Sequence, residues 1–507
     1  MTYGRPGVYV SERLLPAPIA VLGTANAAGA AVGAFAQGPT TVTRVTSWYD
    51  FVQTFGGYST AFPATFGVGQ FFQNGGSELW VRRVLADDAV AATASIPRSG
   101  SGTAIGSVTA KNAGADGNNL RFQLTASNLS GYYNFYVYKE TASSSSDSSD
   151  DNDVLVEQYL NILLDDTTST DYLPTVISLN SALVTVAITD NATAPSTSRV
   201  PLTSGDNGTA PVASDYTATV ADFATVDQPL VMFAPEIMTI LGGANGKTVQ
   251  DAIVSFAASN NNFALLDTVA DLTVDSAISY ATSLAASSYA AVYYPHIFIA
   301  DPVGRSSTSL RKIGPAGAVA GLYLSTDRQY GPFKAPAGVR AGVRGALALE
   351  KQFTSAELDS LNTGIKSDNS VGKPVNALRN IPGAGVVSMG ARTLLQDGTA
   401  NRYVNMRRSL IYIRKTLEDL SQFALFENND ERLWSRIRTS LGVFLNDYRN
   451  QGGLRGTTQE QAFYVKCDSE NNSTNNIANG EVHIEVGVAL QYPAEFVVIT
   501  LSQKTAN

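Results

Sequence analysis

Residues 289–301, YAAVYYPHIFIAD, decide how the chain is read. The stretch is an apolar strand candidate, rich in aromatic and β-branched residues and without helical spacing. Working outward, PLVMF (229–233) and FALLDTV (263–269) have the same character. Helix-like segments lie between them at 248–259 and 273–286, with Thr273 placed to cap the second. Strands alternating with helices imply an α/β layer architecture.

Upstream, from Val32 to Val84, short apolar segments alternate with Gly-containing turns. WYDFVQTFGGYS reads as a helix stopped by Gly56-Gly57, and ELWVRRV (78–84) as a strand. Between about Ile96 and Gly205 Ser, Thr, Asn and Asp take over. The strands LRFQLTAS, YYNFYVYKE and ALVTVAI surround SSSSDSSDDND (143–153), a tract with no core-forming residue. From Glu140 to Asp171 there are nine acidic residues and no basic one, the pattern of a β-rich insertion on an exposed surface.

Downstream the helical signal is strongest. Met406, Leu410, Ile413, Leu417, Leu420 and Ala424 fall on one stripe, as do Trp434, Ile437, Leu441, Phe444 and Tyr448. Asn428 and Asn429 are available to cap the second helix, Asp430 and Glu431 suit its first turn, and Gly452-Gly453 ends it. Two strands follow, EVHIEVGV (481–488), apolar on one face, and EFVVITL (495–501), apolar on both. At the other end Pro6, Pro16 and Pro18 around GVYV favour an extended arm over a helix.

Composition limits the chemistry. At 507 residues the chain exceeds one ordinary core, and its 44% apolar content fills several. A net charge of −9 argues against general binding of nucleic acid through phosphate. No apolar run reaches the roughly 18 residues a spanning helix needs, so no stable membrane insertion is expected. The opening MTYGRPGVYVSERL lacks a signal-peptide core. Cys467 is the only cysteine, which excludes an internal disulfide or a thiolate zinc cluster. With only His296 and His483 beside it, synthesis in a reducing cytoplasm is expected.

Motifs for catalysis fail one by one. LGGANGKTV (241–249) has Leu241 where a phosphate-binding loop needs glycine, so a Gly-rich turn with Thr248 capping the next helix is the plainer reading. In PGAGVVSMG, Ser388 replaces the third glycine of a dinucleotide fingerprint. No G-x-S-x-G elbow accompanies either histidine, and no spacing singles out a carboxylate pair among 44 acids. We expect no enzyme, catalytic residue, metal or cofactor. Between Arg402 and Arg455, however, ten Lys/Arg face six acids, a local +4 in an acidic chain. Arg432 and Arg436 are one helical turn apart and share a face. That is either a solvated face or a contact for an acidic partner.

Eight segments in order now matter: PGVYVSE, FFQNGGSELWVRRV, SSYAAVYYPHIFIADP, GPAGAVAGLY, GARTL, NMRRSLIYI, LFENNDERLWSRI and YPAEFVVITL. Across nearly its whole length the chain resembles the sheath proteins of contractile phage tails, with Asn428 where that family usually has Pro and His296 where it has Trp.

The resemblance implies an α+β multidomain subunit. Its expected parts are an N-terminal extended arm (1–20), a middle α/β domain in two pieces (21–95 and 206–375) and an inserted outer β-rich domain (96–205). A C-terminal α/β domain facing the tube (376–487) and a C-terminal arm (488–507) complete it. It implies a homo-oligomer of hexameric rings in a helical sheath around an inner tail tube protein, with baseplate and tail terminator proteins as further partners. Such a sheath would be assembled in the host cytoplasm, reside in the virion and drive the tube through a bacterial envelope. Arms would exchange strands between subunits through Val8, Tyr9 and Val10 and through Phe496, Val497, Val498 and Ile499. Arg432, Arg436 and Arg438 would touch the tube. The sheath of an R-type bacteriocin-like injection device is the nearest alternative, a carboxylate-based hydrolase a distant one.

Overall fold

A computed structural model of the chain describes residues 27–100, 102–140, 153–190, 194–306 and 308–495. These fall into two compact units, divided after Ile411, with 492–495 returning to the first.

In the larger unit β1 (Ala28–Gly33), β2 (Thr43–Val45), α1 (Trp48–Phe55), α2 (Ala64–Gln73) and β3 (Leu79–Arg83) come first. An insertion follows with β4 (Thr93–Ile96), β5 (Gly106–Ala110), β6 (Leu120–Ala126), β7 (Tyr133–Glu140), β8 (Asp153–Ile162), α3 (Leu173–Asn180), β9 (Val184–Ile188) and β10 (Val200–Pro201). The chain returns through α4 (Ala213–Val220), β11 (Leu230–Phe233), α5 (Ile237–Ile240), α6 (Gly242–Ser259), β12 (Phe263–Asp267), α7 (Val274–Ser283) and β13 (Ala290–Tyr294). Then come β14 (Ile297–Ala300), β15 (Leu310–Ile313), α8 (Ala316–Tyr330), β16 (Ala348–Leu349), α9 (Ser355–Thr363), β17 (Asn376–Ile381) and β18 (Gly385–Ser388). Helix α10 (Val404–Ser421) runs across the division between units.

One eight-stranded sheet organises this unit, in the order β18-β17-β13-β12-β11-β1-β3-β2. Its six inner strands are parallel, and only the edge strands β2 and β18 run antiparallel. The period-2 geometry of a strand sends alternate residues to opposite faces. Ala30, Met232, Leu266 and Val292 therefore join a core with α4, α6 and α7, whereas Ala31, Phe233, Leu265 and Tyr293 join another with α2 and α8. Each fully buried Val, Leu or Phe contributes about 1.5–3 kcal/mol before ordering costs. Helices α2 and α8 pack backbone to backbone. A Cβ on Gly317 or Gly321 would stand 2.2 Å from the carbonyl oxygen of Gly67 or Phe71.

Several expectations shift. The apolar run at 289–301 is two strands in two sheets, because the chain leaves the large sheet at Pro295, which has no N–H to donate. Of the glycines of 242–246, Gly242 turns the chain with φ +75°, whereas Gly243 and Gly246 lie within the helix. Helix α6 starts at Gly242, and the Thr248 hydroxyl bonds back to the Ala244 carbonyl inside it. A C-terminal domain starting at 376 is also displaced, since β17 pairs with β13 and extends the large sheet. Asn376 secures that junction, donating to the Val292 and Arg392 carbonyls and accepting the Arg392 N–H at 2.7 Å.

The insertion has a core of its own, with Val108, Phe122, Phe135, Leu173 and Ile177 between a β4-β5-β9 sheet and a β10-β6-β7-β8 sheet. Arg83, at the end of β3 and only 1% exposed, joins it to the body. Its guanidinium donates to the carbonyls of Phe35, Ala36 and Gly38 on the body side, and to Ala113 O and Asn207 Oδ1 on the insertion side, at 2.9–3.2 Å. Burial, only partly offset by Asp116, pulls its pKa down to about 10, so it stays charged at neutral pH.

The smaller unit holds the rest of α10, then α11 (Glu431–Asn450), α12 (Gln459–Ala462), β19 (Phe463–Lys466), α13 (Thr474–Ala478) and β20 (Glu485–Val488). The expected strand 481–488 is halved. The main chain of His483 is held by the Asn472 side chain, which accepts its N–H at 2.6 Å and donates to its carbonyl.

Two buried carboxyls meet the start of α8. Glu236 accepts the Gly314 N–H at 2.8 Å and Asp267 the Ala316 N–H at 2.7 Å. Burial, then the Asp267 charge, pushes Glu236 up to about 8; burial pushes Asp267 up to about 7. The folded chain thus keeps protons that the unfolded chain loses near pH 4. Their stabilisation is complete below that pH, falls as pH rises and is gone above about pH 8. Between pH 6 and 9 the melting temperature of the parent should drop, and Glu236→Gln should lessen that drop by roughly 3 °C. Parallel thermal melts with identical pH slopes would refute the assignment.

Candidate subunit-contact surfaces

The smaller unit is built on two amphipathic helices. Leu433, Trp434, Ile437 and Leu441 of α11 bury against Leu417 and Leu420 of α10, Cys467, and Val465 and Val486 of the two strands. Further along, Tyr412 packs on Phe444 and Tyr448, with ring centroids 6.1 and 5.6 Å apart. The start of α11 is fixed by Asp430, whose carboxylate accepts the Leu433 N–H at 2.9 Å. The cap is therefore Asp430 and not Asn428 or Asn429. Asn429 instead accepts the Trp434 indole N–H at 2.8 Å and donates to the Glu481 carbonyl.

Burying one stripe of α11 leaves the opposite stripe in solvent. Arg432 and Arg436 stand there, with Glu431, Ser435, Thr439 and Val443, around an open concavity of about 790 Å³. The Arg436 guanidinium lies over the Phe423 ring, 5.0 Å from its centroid. Arg438 differs from the other two: it pairs with Glu431 at 2.8 Å, one heptad back on the same face, and donates to the Cys467 carbonyl. The local positive excess is also partly internal. Arg408 is buried and paired with Asp327, Arg407 stacks on Tyr289, and Lys415 pairs with Asp419. Sequence reasoning missed Phe423, Leu425, Phe426 and Val443, exposed apolar residues around the stripe. Phe423, Leu425 and Phe426 occupy the break between the two helical repeats, and that break was their one visible signal.

The second surface is a two-stranded antiparallel sheet, β19 with β20, pairing Phe463 with Val488 through Lys466 with Glu485. Such a pair has two edges and is marginal alone. Val8, Tyr9, Val10, Phe496, Val497, Val498 and Ile499 all lie outside the described residues. The chain just before Phe496 is anchored in the larger unit. Arg392 binds Glu495 through two bonds, of 3.0 and 2.6 Å, and Tyr492 meets the Tyr403 ring edge-on. The bidentate Glu495 bond raises the Arg392 pKa further.

The residues weighed for catalysis have structural partners. His296 is buried, its Nε2 2.9 Å from the Thr268 carbonyl, and burial holds its pKa down. His483 pairs with Glu481 on the surface. Lys247, the would-be phosphate lysine, pairs with Asp251 one turn along α6. Among the described residues, no helix is long and apolar enough to cross a membrane.

With the fold and the α10–α11 unit described, the proteins this chain is similar to fall in one class, the sheath proteins of contractile tails. Residues 396–504 match the family model described as the phage tail sheath C-terminal domain. The chain is 30% identical over 158 residues to the tail sheath protein of Vibrio phage KVP40, covering 31% of this chain and 21% of that one. Over 167 residues it is 25% identical to the tail sheath protein of Enterobacteria phage T4, covering 33% and 23%. The aligned stretch thus spans between a fifth and a quarter of these relatives' length.

Likeness in fold extends further. A sheath tail protein from Listeria innocua superposes with a TM-score of 0.62 at 14% identity, over 92% of this chain and 95% of that one. The helical sheath of the anti-feeding prophage in its contracted state gives 0.58 at 20%, over 99% and 100%. The sheath complex of an extracellular contractile injection system, PVC, also contracted, gives 0.58 at 20%, over 99% of each.

Replacing Asp430 by Ala should cost about 1 kcal/mol of stability, read as a lower urea midpoint for the smaller unit's transition, whereas Asn428→Ala should leave it unchanged. Equal midpoint shifts in the two variants would contradict the capping assignment.

Proposed function

We propose that this chain is the structural subunit of a contractile sheath, polymerising as stacked hexameric rings around an inner tube and shortening to drive that tube through a bacterial envelope. The observation that carries the reading is the smaller unit. It combines a family match with a two-stranded sheet whose edges invite added strands and a helix whose solvent face is basic. The arms, through Val8, Tyr9 and Val10 and through Phe496 to Ile499, complete that sheet in neighbouring copies. Main-chain pairing holds the lattice while bodies rotate, and the extended state is a kinetic trap that needs no fuel per stroke. Baseplate and terminator proteins bound the sheath at its ends, and the virion is its place of residence.

A second reading, the sheath of a phage-like injection device, is favoured by the full-length likeness to the anti-feeding prophage and PVC sheaths. Both readings make the same mechanical demands on the residues.

Arg432 and Arg436 would hold acidic tube residues through exposed ion pairs of about 0–1 kcal/mol each, which suits a contact that must let go. Arg438, already engaged with Glu431, contributes less.

Deleting residues 1–20 should leave folded, soluble subunits, whereas the full chain forms striated cylinders by electron microscopy; cylinders of normal length from the deletion would sink the arm mechanism. The double variant Arg432→Glu, Arg436→Glu should assemble on purified tubes at least tenfold less well. Parent-like decoration of tubes would remove the basic stripe from the interface.

A further inference from the structure

The larger unit carries a patch of positive charge with no acid in it. From Arg328 to Leu349 there are four cations and no carboxylate. Three of them, Lys334, Arg340 and Arg344, line one cleft of about 370 Å³ at the end of α8, beside Ser325, Gln329 and Tyr330, and no acid stands in its wall. Main-chain bonds fix their positions. Gly338 N–H and Val343 N–H donate to the carbonyls of Ser388 and Val386 on β18, both at 2.8 Å, and Arg344 N–H donates to Asn74 Oδ1 at 2.7 Å. The three cationic side chains, by contrast, are exposed and have no carboxylate partner among the described residues. The one acid of α8, Asp327, is buried and committed to Arg408.

Cations gathered on one wall repel one another, so such a cleft is most stable with an anion in it. The same chain supplies a counterpart. Asp147, Asp150 and Asp151 belong to the serine-rich tract 143–152, which lies outside the described residues, and from Glu140 to Asp171 no basic residue offsets them. The acids that flank the tract are already engaged, Glu140 with Arg121, and Asp153 with Arg121 and Arg199. The tract has no core-forming residue, so charge is what it can bring to a contact. A tract and a cleft at different places on one chain make a heterologous contact, in which each copy gives to one neighbour and receives from another. Contacts of that type extend into rings or helices.

We infer that the aspartates of the 143–152 tract in one copy occupy the cleft of Lys334, Arg340 and Arg344 in a second copy. This rests on the reading of the chain as a polymerising subunit, proposed above. Exposed pairs of this kind are individually weak and are screened by salt, so the contact strengthens as ionic strength falls.

Isotope mixing tells a neighbour from the chain itself. Full chain with ordinary nitrogen is mixed with full chain grown on heavy nitrogen, under assembly conditions, and treated with a water-soluble carbodiimide. That reagent joins a lysine amine to an adjacent carboxylate as an amide. Mass spectrometry of the peptides should find Lys334 joined to Asp147, Asp150 or Asp151, with light and heavy partners joined to each other. Changing the three aspartates to Asn should abolish that product and reduce assembly at least tenfold at low salt, while the melting temperature stays that of the parent. Lys334→Glu with Arg340→Glu and Arg344→Glu should assemble poorly alone, as should Asp147→Lys with Asp150→Lys and Asp151→Lys, but a mixture of these two chains should assemble. Joined peptides of like isotope only would place the tract on its own chain and overturn the inference. So would coupling of Lys334 that survives in the Asn variant. Cylinders without any Lys334 product would overturn it while leaving the sheath reading in place. The mixed-isotope product without cylinders would uphold the contact and count against the sheath instead.

Discussion

A sheet buried on both faces is the constraint from which the larger unit follows. Its inner strands are parallel, so each must be reached by a crossover, and the crossovers place helices on both sides. Every residue of β11, β12 and β13 is buried, and all but Asp267 at the end of β12 face one core or the other. The same demand explains the small residues of β1 and the glycines of α8. Where a helix must approach another backbone to backbone, a Cβ has nowhere to go.

Polar groups are consequently driven to the ends of the strands, where they fix what the apolar layers cannot. Arg83 uses its donors on carbonyls of both body and insertion, so the insertion is tied by a cation that cannot be withdrawn without stranding several acceptors. Asn376 does the same for the last parallel strand. Asp327 and Arg408 form an ion pair that is almost completely buried, joining α8 to the first part of α10. Breaking such a pair costs about 3–5 kcal/mol, because the remaining charge is left in the core. These contacts add specificity to a core whose hydrophobic terms are indifferent to direction.

The smaller unit obeys a different logic. Its core is modest, drawn from one face of α11, part of α10 and a two-stranded sheet, and among the described residues no third strand pairs with that sheet. Unpaired strand edges are ordinarily blunted, covered or paired, so this small sheet is the element of the unit most open to a further strand.

The large elements were legible because periodicity is local. Alternating apolar strands and helices between 229 and 301, the two amphipathic stripes after 404 and the polar insertion all appear where side-chain spacing placed them. The scarcity of imidazole and thiol groups was equally plain from one cysteine and two histidines. Tertiary structure decided what spacing cannot encode. Whether 289–301 serves one sheet or two depends on where Pro295 meets its neighbours. Whether 376–388 starts a new unit or extends the old sheet depends on pairing with β13, about eighty residues away. Which of Asn428, Asn429 and Asp430 caps α11 depends on a competing bond from the Trp434 indole. At the candidate contact, helical spacing put Arg432 and Arg436 together, but only the fold showed Arg438 turned to Glu431 and Phe426 held in solvent. Exposure and ion pairing are properties of the surroundings, and the surroundings of a residue are mostly supplied by distant parts of the chain.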